Sequence, residues 1–375
     1  TPRTIIDILG STFENQAGLP IRRLPREVNA QTQTGGPATH KEHAMPPTLA
    51  LHKAALDHIG PQLAALNLNL KVITFDGSGE FEIEGARVPA AEVSIDYLWF
   101  SRHINSDGNA AGAFEMALSC RHVGVLQTFN AGLDDPFYAT IAARGTRICN
   151  SSAQAVAISE YVFGQVLNRF QPLATQRQLQ AAREWRNTPF REIWRTRWLI
   201  VGYGPIGQAL AQRLRAFDAT VDVVRRSDAP VETAARVGTA DDLPRFLPDA
   251  DVVVLACPLT AATRGMANDA FFAAVKKDAI LVNIARGGLV EAAALTAALD
   301  SGRLGHAILD VFEPEPLAED HAFWGHPGIT VTAHTSFAGN GGPARWDQLF
   351  LENISRFAAG AALGQEVDPR IFSGG

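Results

Sequence analysis

The chain has 375 residues, which at ~150 residues per domain predicts two domains. Hydrophobic residues make up 46% of it and charged residues 19%, a composition that excludes a disordered chain. The net charge of −6 gives no overall positive field, so neither nucleic acid nor an anionic membrane surface is an expected partner. The longest apolar run, Val252 to Leu259, is far short of the ~20 residues that span a bilayer, and the first residues lack a signal-peptide pattern. We therefore expect a cytoplasmic protein with no membrane partner.

In the N-terminal half, short apolar runs predict strands that alternate with helices. Thr4 to Leu9 predicts a first strand, and residues 11–48, rich in Thr, Pro, Gly, Gln and Arg, predict a long insertion without regular structure. Apolar spacing predicts a helix from about Thr48 to Leu66. Further strands are predicted at Leu70 to Phe75, Ile95 to Phe100 and His122 to Phe129, with helices near Ala110 to Ser119 and from about Val156 to Trp185.

The C-terminal half alternates more clearly between strand and helix. Its Val/Ile/Leu runs are continuous, which is typical of strands buried on both faces. Strands are predicted at Trp198 to Val201, Thr220 to Val224, Asp251 to Ala256, Ala279 to Asn283, Ala307 to Val311 and Ile329 to Thr332, and helices at Ile206 to Phe217, near Asn268 to Val275 and at Glu291 to Ser301. The pattern predicts an α/β fold with a doubly wound parallel sheet of the dinucleotide-binding type.

Potential metal ligands are few. Cys120, Cys149 and Cys257 are too scattered for a disulfide framework or a zinc site. His40 and His43 have the spacing of two ligands on one helical face, but they lie in a Pro/Gly-rich stretch that does not favour a helix. No metal site is predicted.

A glycine motif directly follows a predicted strand and opens a predicted helix. The segment from Gly202 to Gly207 matches G-x-G-x-x-G, a pattern that carries weight only in this strand-to-helix context. Gly202 would permit the tight turn, Gly204 a close approach of the backbone to a pyrophosphate, and Gly207 close packing of helix on strand. The helix N-terminus would face the phosphates with unpaired N–H groups, one fewer than usual because of Pro205. The alternative is a glycine turn without a ligand.

The end of the next strand distinguishes NAD from NADP. A carboxylate there binds the ribose 2′-hydroxyl, whereas arginine suits a 2′-phosphate. Val224 is followed by Arg225, Arg226 and Ser227, so an arginine stands where the carboxylate would be expected. Two guanidinium groups and a hydroxyl favour a phosphate dianion. We therefore predict NADP(H) as the preferred cofactor and NAD(H) as a second one; the alternative is a solvated basic turn.

Three segments end later strands of the same predicted sheet, where ligands bind in such folds. They carry Arg286, Glu315 and His334. Arginine can hold a 2-oxo acid through its carboxylate and polarise its carbonyl, and histidine can protonate the carbonyl oxygen as hydride reaches the carbon. A buried glutamate beside that histidine would keep it protonated and oriented. The alternatives are a core histidine and a structural ion pair between Arg286 and Glu315.

With these motifs the sequence resembles the D-isomer-specific 2-hydroxyacid dehydrogenases, which include glyoxylate/hydroxypyruvate reductases, from about residue 120 to 345. The matching segments are Asn130 to Asp134, Gly202 to Gly207, Cys257 to Thr260 with Thr263 and Arg264, Asn283 to Gly287, Asp310 to Leu317, and His334. The resemblance implies that Arg286 binds the substrate, that His334 is the acid/base and that Glu315 is its partner. It also implies that the backbone N–H groups of Ala131 and Gly132 hold the substrate carboxylate.

The glycine motif, the arginine pair and the resemblance together predict the cofactor contacts. They are Gly202, Gly204, Pro205, Ile206, Gly207, Arg225, Arg226, Ser227, Cys257, Pro258, Thr263, Ala285 and Asp310. The resemblance makes Asp310 a partner of the nicotinamide carboxamide. The sequence departs from the family where Glu291 replaces an aspartate and Ala333 a proline, and neither change removes a catalytic group.

The resemblance further implies two Rossmann-like doubly wound parallel-sheet domains, with the cofactor domain inserted into a discontinuous substrate domain. The expected substrate domain comprises residues 1–149 and 340–375, and the expected dinucleotide-binding domain residues 150–339. The helix predicted near 156–185 resembles the family's dimer contact and so predicts a homodimer; the alternative is an ordinary surface helix. The insertion at 11–48 would leave the first strand on the cleft side, which suggests a role in substrate access.

The predicted function is NADPH-preferring reduction of a small 2-oxo acid, with glyoxylate and hydroxypyruvate as first candidates, to the D-2-hydroxy acid. A second interpretation is oxidation of another small anion such as formate or phosphite; formate enzymes of this fold carry glutamine as the histidine's partner, so Glu315 argues against formate. A third is a cofactor-sensing protein like the family's transcriptional corepressors, which retain the triad. The identity of the acid depends on the substrate domain, where the resemblance is weakest.

Overall fold

The structure, a computed structural model, describes residues 45–372, and from Pro46 onward they belong to one compact unit. The strand predicted at Thr4 to Leu9 and nearly all of the insertion predicted at 11–48 lie outside the described residues. Within the described range, the chain forms one seven-stranded sheet and then a second. This succession confirms the predicted α/β fold with two parallel-sheet domains.

The first sheet is parallel in its centre and ends in an antiparallel hairpin. Its strands are β1 (Thr48–His52), β2 (Lys71–Phe75), β3 (Glu80–Ile83), β4 (Ala86–Pro89), β5 (Ser94–Phe100), β6 (His122–Thr128) and β7 (Arg147–Cys149). They lie in the order β4-β3-β2-β1-β5-β6-β7, and β3 and β4 are the antiparallel strands. Because β2, β1, β5, β6 and β7 are mutually parallel, their carboxyl ends meet at one edge of the sheet.

The central strand β1 corrects the prediction of a helix from Thr48 to Leu66. Residues 48–52 are extended and pair with β2 on one side and β5 on the other, and the helix begins only at Lys53. Leu49, Ala50 and Leu51 are fully buried. A short continuous apolar run has the same pattern in a buried strand and a buried helix, so pairing with strands remote in sequence decides between them. The strand predicted at Thr4 to Leu9 and the place of the insertion after it stay predictions, since they lie outside the described residues.

The second sheet is parallel between every pair of its strands. They are β8 (Arg197–Val201), β9 (Thr220–Val224), β10 (Arg236–Gly238), β11 (Val252–Leu255), β12 (Ala279–Asn283), β13 (Leu304–Leu309) and β14 (Ile329–Val331). Their order is β10-β9-β8-β11-β12-β13-β14. The chain moves outward from β8 to β10 and then returns to β11 on the other side. A crevice for ligands forms at such a reversal, outside the carboxyl ends of β8 and β11.

Helices cover both sheets. In the described range they are α1 (Lys53–Ala65), α2 (Ala110–Ser119), α3 (Pro136–Ala143), α4 (Ala155–Phe170), α5 (Leu173–Ala182), α6 (Pro205–Arg215), α7 (Leu243–Phe246), α8 (Asp269–Ala274), α9 (Ala292–Asp300) and α10 (Gly342–Ala358). Helix α4 packs with α6 on the second sheet. Helix α10 returns to the first sheet, where Phe350 stacks on Trp99 with ring centroids 3.8 Å apart. The domain boundaries themselves stay a prediction.

The single long helix predicted from Val156 to Trp185 is wrong. Helix α4 ends at Phe170, and α5 begins at Leu173 after the pair Gln171–Pro172. Proline disfavours the helical conformation of the preceding residue, and Gln171 has a ψ of 139°. The break is therefore local in origin, since one proline within an otherwise helical pattern is enough to cause it.

Candidate active site

The glycine motif forms the turn between β8 and α6. Gly202 has a φ of 103°, and a Cβ there would lie 2.5 Å from the backbone of Ala256 at the end of β11. At Gly207 a Cβ would overlap the carbonyl oxygen of Gly202 and lie 3.2 Å from Cγ2 of Ile200. Beside Gly204 the space is open, with no heavy atom within 4 Å of a Cβ position. The first and third glycines thus permit close packing of the turn, and the second leaves room for a ligand.

Helix α6 begins at Pro205 with Gly204 as its N-cap residue. The first amide groups of a helix have no partner within it and form its positive end, so they attract a phosphate. Pro205 contributes no N–H, whereas Ile206 and Gly207 do. The open space at Gly204 and this helix end fit a dinucleotide pyrophosphate.

The turn after β9 is basic. The backbone N–H of Arg225 donates to the carbonyl of Gly238, and its Nε donates to the carbonyl of Ser227, each at 2.9 Å. Arg226 and Ser227 are exposed. The nearby carboxylate in β9, Asp222, is fully buried and forms ion pairs with two other arginines. The donors at this turn fit a phosphate at the ribose end of a dinucleotide.

His334 and Glu315 form a hydrogen-bonded pair. Nδ1 of His334 lies 2.8 Å from Oε2 of Glu315, whose other oxygen accepts the backbone N–H of Phe312 at 2.8 Å. Because a carboxylate oxygen only accepts, this contact places a hydrogen on Nδ1 and leaves Nε2 to exchange a proton with a ligand. The two side chains are 44% and 35% exposed. His334 is therefore not a core histidine, and the prediction of a buried glutamate is wrong because the loop after β13 runs along the open edge of the sheet.

The turn that carries His334 closes around Asp310. His334 has a φ of 47°, a left-handed conformation that a residue other than glycine keeps only when its surroundings enforce it. Its N–H donates to the backbone carbonyl of Asp310 at 2.8 Å. The Asp310 carboxylate accepts the N–H groups of Thr335 and Ser336 at 2.8 and 2.9 Å. Fully buried Asp310 thus shapes this turn, and its predicted contact with a nicotinamide carboxamide stays a prediction.

Arg286 is held at the carboxyl end of β12. The side-chain amide of Asn283 donates to the backbone carbonyl of Arg286 at 2.8 Å. A Cβ on the next residue, Gly287, would overlap the backbone of Phe312. This segment therefore lies directly against the loop that carries Glu315, which brings the arginine and the histidine's partner to one edge of the sheet.

The guanidinium of Arg286 pairs with a carboxylate of the first sheet's loops. Its Nε donates to Oδ2 of Asp134 at 2.7 Å, its Nη2 contacts the same oxygen, and its Nη1 donates to the carbonyl of Ala285 at 2.6 Å. The side chain's carboxylate partner is thus Asp134 and not Glu315. This arrangement excludes the alternative in which Arg286 and Glu315 form a structural ion pair.

The loop from Asn130 to Asp134 follows β6 and contacts Arg286. A Cβ on Gly132 would overlap Nη2 of Arg286. The side-chain amide of Asn150 donates to the carbonyl of Ala131 at 2.8 Å and so fixes the loop from its other side. The structure thus brings the predicted carboxylate-binding loop of the first sheet against the predicted substrate arginine of the second.

The loop after β11 lies at the same edge. Burial raises the pKa of Cys257 to about 11, so it is a neutral thiol at physiological pH. The hydroxyl of Thr263 donates to the carbonyl of Pro258 at 2.8 Å and closes the loop. Arg264 and Glu313 form a two-pronged ion pair with N–O distances of 2.6 and 3.1 Å, which joins this loop to the one after β13.

Several of these partners were missed in the sequence. Asp134 is 152 residues from Arg286, and Glu313 is 49 residues from Arg264. In the sequence Asp134 is only the last residue of a segment that matches the family, and no local pattern identifies its partner. Such pairs depend on which loops meet at the sheet edge, so they become visible only in the folded chain.

The described residues, 45–372, contain no group of three His, Cys, Asp or Glu side chains that could hold a metal ion. Burial raises the pKa of Cys120 to about 11 and that of Cys149 to about 12, which keeps both thiols protonated and weakly reactive. No helix in this part of the chain is long and apolar enough to cross a membrane.

The chain is similar to known oxidoreductases. A family model described as D-isomer specific 2-hydroxyacid dehydrogenase, NAD binding domain, matches residues 163–336. A glyoxylate reductase of Thermococcus kodakarensis is 30% identical over 264 residues, which cover 66% of this chain and 76% of that protein. A glyoxylate/hydroxypyruvate reductase A of Serratia proteamaculans is 33% identical over 183 residues, which cover 49% of this chain and 58% of that protein.

Solved structures extend the similarity over most of the chain. An NADPH-dependent glyoxylate/hydroxypyruvate reductase from Sinorhizobium meliloti, in complex with NADP and sulfate, is 27% identical with a TM-score of 0.67 and covers 87% of this chain and 99% of its own. A D-isomer specific 2-hydroxyacid dehydrogenase from Xanthobacter autotrophicus, in complex with NADPH and MES, is 25% identical with a TM-score of 0.68 and the same coverage.

The doubly wound second sheet, its glycine turn and the charged groups at its edge define a nicotinamide-dependent oxidoreductase. The chain belongs to the D-isomer specific 2-hydroxyacid dehydrogenase family. This membership confirms the resemblance that the sequence motifs suggested.

Proposed function

We propose that the chain reduces a small 2-oxo acid to the D-2-hydroxy acid and prefers NADPH, with glyoxylate and hydroxypyruvate as first candidate substrates. The observation that carries the proposal is the pair of His334 and Glu315, 2.8 Å apart, at the strand edge that also holds Arg286. The names of the relatives from Thermococcus and Serratia support the choice of acids.

Substrate binding begins with the arginine. A guanidinium has five N–H donors, and in Arg286 the contacts with Asp134 and Ala285 use three of them, which leaves two for a substrate carboxylate or carbonyl oxygen. Asp134 thereby orients the arginine before the substrate arrives. We assign the second anchor of the substrate carboxylate to the backbone N–H groups of Ala131 and Gly132.

The reduction needs a hydride at the carbonyl carbon and a proton at the carbonyl oxygen. The reduced nicotinamide, when bound, supplies the hydride. Nε2 of His334 donates the proton to the oxygen, while Glu315 at Nδ1 stabilises the imidazolium before transfer and orients the ring. Arg286 polarises the carbonyl and holds the acid so that one face of it receives the hydride. In the reverse direction the neutral imidazole accepts the proton.

The cofactor preference rests on the basic turn after β9. We assign the pyrophosphate to the turn at Gly204 and the N-terminus of α6, and a 2′-phosphate to Arg225, Arg226 and Ser227. The NADP and NADPH in the structures from Sinorhizobium and Xanthobacter support this choice. Cys257, Pro258, Thr263, Ala285 and Asp310 complete the proposed cofactor contacts.

The test follows loss of NADPH and NADH absorbance in parallel with glyoxylate, hydroxypyruvate, pyruvate, phenylpyruvate and 2-oxoisocaproate. We expect turnover of at least one acid, faster with NADPH, and its loss in the matched variant His334→Gln. A folded protein that binds NADPH tightly and reduces none of these acids contradicts the proposal. That result would favour a cofactor-sensing protein or oxidation of another small anion.

We also propose a homodimer. Trp185, Phe190 and Trp194 follow α5, and each has a side chain at least half exposed. Large aromatic side chains that are exposed and close in sequence favour a surface that a protein partner covers. Light scattering coupled to size-exclusion chromatography tests this proposal, and a monomer at micromolar concentration would contradict it.

A further inference from the structure

A chain of hydrogen bonds between partly buried side chains runs from α4 to the turn that carries His334. The hydroxyl of Tyr161, on α4, lies 2.5 Å from Oγ1 of Thr332, just after β14. The Thr332 hydroxyl lies 2.6 Å from Oδ1 of Asp310. A carboxylate oxygen only accepts, so the Thr332 hydroxyl donates to Asp310 and its oxygen accepts the hydrogen of Tyr161. The hydrogen bonds are therefore donated in one direction, from Tyr161 to Thr332 and from Thr332 to Asp310.

The Asp310 carboxylate, the last acceptor in this series of hydrogen bonds, fixes the backbone around His334, the proposed acid/base residue. The same Asp310 oxygen that accepts from Thr332 also accepts the N–H of Thr335, and the other oxygen accepts the N–H of Ser336. These bonds bracket His334, whose left-handed conformation is disfavoured without such support. Any rotation of the Asp310 carboxylate therefore moves the turn that presents the imidazole to Glu315.

Helix α4, which carries Tyr161, is held in place by packing on the second sheet. Ile158 and Val162 pack in the core of the second sheet on either side of Tyr161 in the sequence. The loop after His334 also lies on α4, because a Cβ at Gly339 would be 2.7 Å from Cβ of Ala157. Burial raises the pKa of Tyr161 to about 12, so its hydroxyl remains a donor at every pH at which the protein would work.

We propose that Tyr161 and Thr332 are positioning residues of the reaction, which act through Asp310 to hold His334 in contact with Glu315. Neither residue touches the reacting atoms. The proposal rests on the proposed function, in which His334 transfers the proton. The competing view is that the two hydroxyl groups only stabilise the fold.

The test compares Tyr161→Phe, Thr332→Val and the double variant with wild type, all as the full chain. We expect kcat to fall about tenfold in each single variant, since small displacements of a proton donor slow transfer, while the KM for the acid changes less than twofold. The double variant should lose no more than the more impaired single one, because both act on one chain of bonds. Thr332→Ser, which keeps the hydroxyl, should restore kcat.

The matched control is Tyr97→Phe. It removes another buried tyrosine hydroxyl, bonded to Gln127 in the first sheet, and should lower thermal stability without lowering kcat. If Tyr161→Phe and Thr332→Val likewise lower only stability, the hydroxyl groups are structural and the proposal is wrong. Multiplicative losses of kcat in the double variant would also contradict it.

A readout without turnover separates this proposal from the proposed function. In protein labelled at the histidine ring carbons, the NMR signal of His334, assigned with His334→Asn, should shift in Tyr161→Phe and Thr332→Val and keep its position in Tyr97→Phe. If wild type reduces no 2-oxo acid, the proposed function fails, and this signal alone decides on the positioning role. An unmoved signal in both variants overturns it.

Discussion

Direct contact, rather than burial, couples Glu315 to His334. Both side chains are partly exposed, so water screens the interaction of the Glu315 carboxylate with distant charges. The imidazole of His334 is only 2.8 Å away, and at that distance the carboxylate still attracts its N–H group. The neighbouring carboxylate, Glu313, is engaged with Arg264 instead. Two glutamates of one short loop thus have different partners, and their substitution should have different effects.

Glu315→Gln removes the negative charge and keeps an oxygen that accepts from Nδ1. In the proposed reaction the imidazolium then loses the charged contact that stabilises and orients it. We expect kcat for reduction to fall about 10²-fold while the KM for the acid changes little. The control Glu313→Gln should keep the wild-type kcat, and an unchanged kcat in Glu315→Gln would count against the pairing.

Arg225→Asp places a carboxylate where the 2′-phosphate is proposed to bind. Repulsion should weaken NADPH, and the carboxylate can accept the ribose 2′-hydroxyl of NADH. We expect the ratio of kcat/KM for NADPH to that for NADH to fall by at least about tenfold. Arg226→Ala, measured alongside, shows how much the exposed second arginine contributes. A ratio that stays at the wild-type value would refute the assignment of Arg225.

Among the elements, the β8–α6 unit shows how far local sequence specifies a binding site. Its strand, glycine spacing and helix start all lie within one short segment, so the turn could be predicted without knowledge of the rest of the fold. In the structure, the glycines of the motif differ in their surroundings. Gly207 permits the packing of α6 on β8, whereas the space beside Gly204 is open and is where we propose that the pyrophosphate binds.

Gly207→Ala and Gly204→Ala separate these two roles. The added methyl at position 207 would overlap the carbonyl oxygen of Gly202, so α6 must shift, and we expect a loss of about 1–3 kcal/mol in the free energy of unfolding. Gly204→Ala should keep that stability and weaken NADPH binding. Denaturant unfolding and NADPH fluorescence titration measure the two effects. Equal stability of the variants would contradict the packing role of Gly207.

Local patterns predict secondary structure less reliably where one apolar pattern suits both a strand and a helix. Thr48–His52 belongs to the first sheet because β2 and β5 lie on both sides of it, and neither neighbour is visible in the sequence around it. The break between α4 and α5 could have been read from Pro172, since the cause is local. The wrong helix start at Thr48 arises because strand pairing is tertiary information. The wrong helix across Pro172 could be avoided from the local sequence alone.

On the scale of the whole molecule, stability against acid should depend on a buried histidine in β13. His306 lies in the second sheet with its Nε2 2.9 Å from Oγ1 of Thr330. Burial lowers its pKa from 6.5 to about 4. Between these two values the unfolded chain binds a proton that the folded protein does not, so stability falls as the pH falls through this window.

His306→Gln removes this titration. We expect the free energy of unfolding of the variant to depend less on pH between 6.5 and 4 than that of wild type, although it will be lower at neutral pH because the bond to Thr330 changes. Denaturant unfolding at a series of pH values measures both. The exposed His122→Gln is the control and should keep the wild-type slope. A variant as sensitive to acid as wild type would show that other groups dominate.

The proposed catalytic and cofactor-binding residues could be found in the sequence because they follow apolar runs at strand ends, a relation within a few positions along the chain. Arg286, His334 and the glycine turn are of this kind. Their partners are not: Asp134 meets Arg286 across 152 residues, and Tyr161 meets Thr332 across 171. Neighbouring residues determine the strands, helices and turns and the order of the motifs. An ion pair or a hydrogen bond between loops depends instead on the order of the strands in each sheet and on how the two sheets and their helices pack.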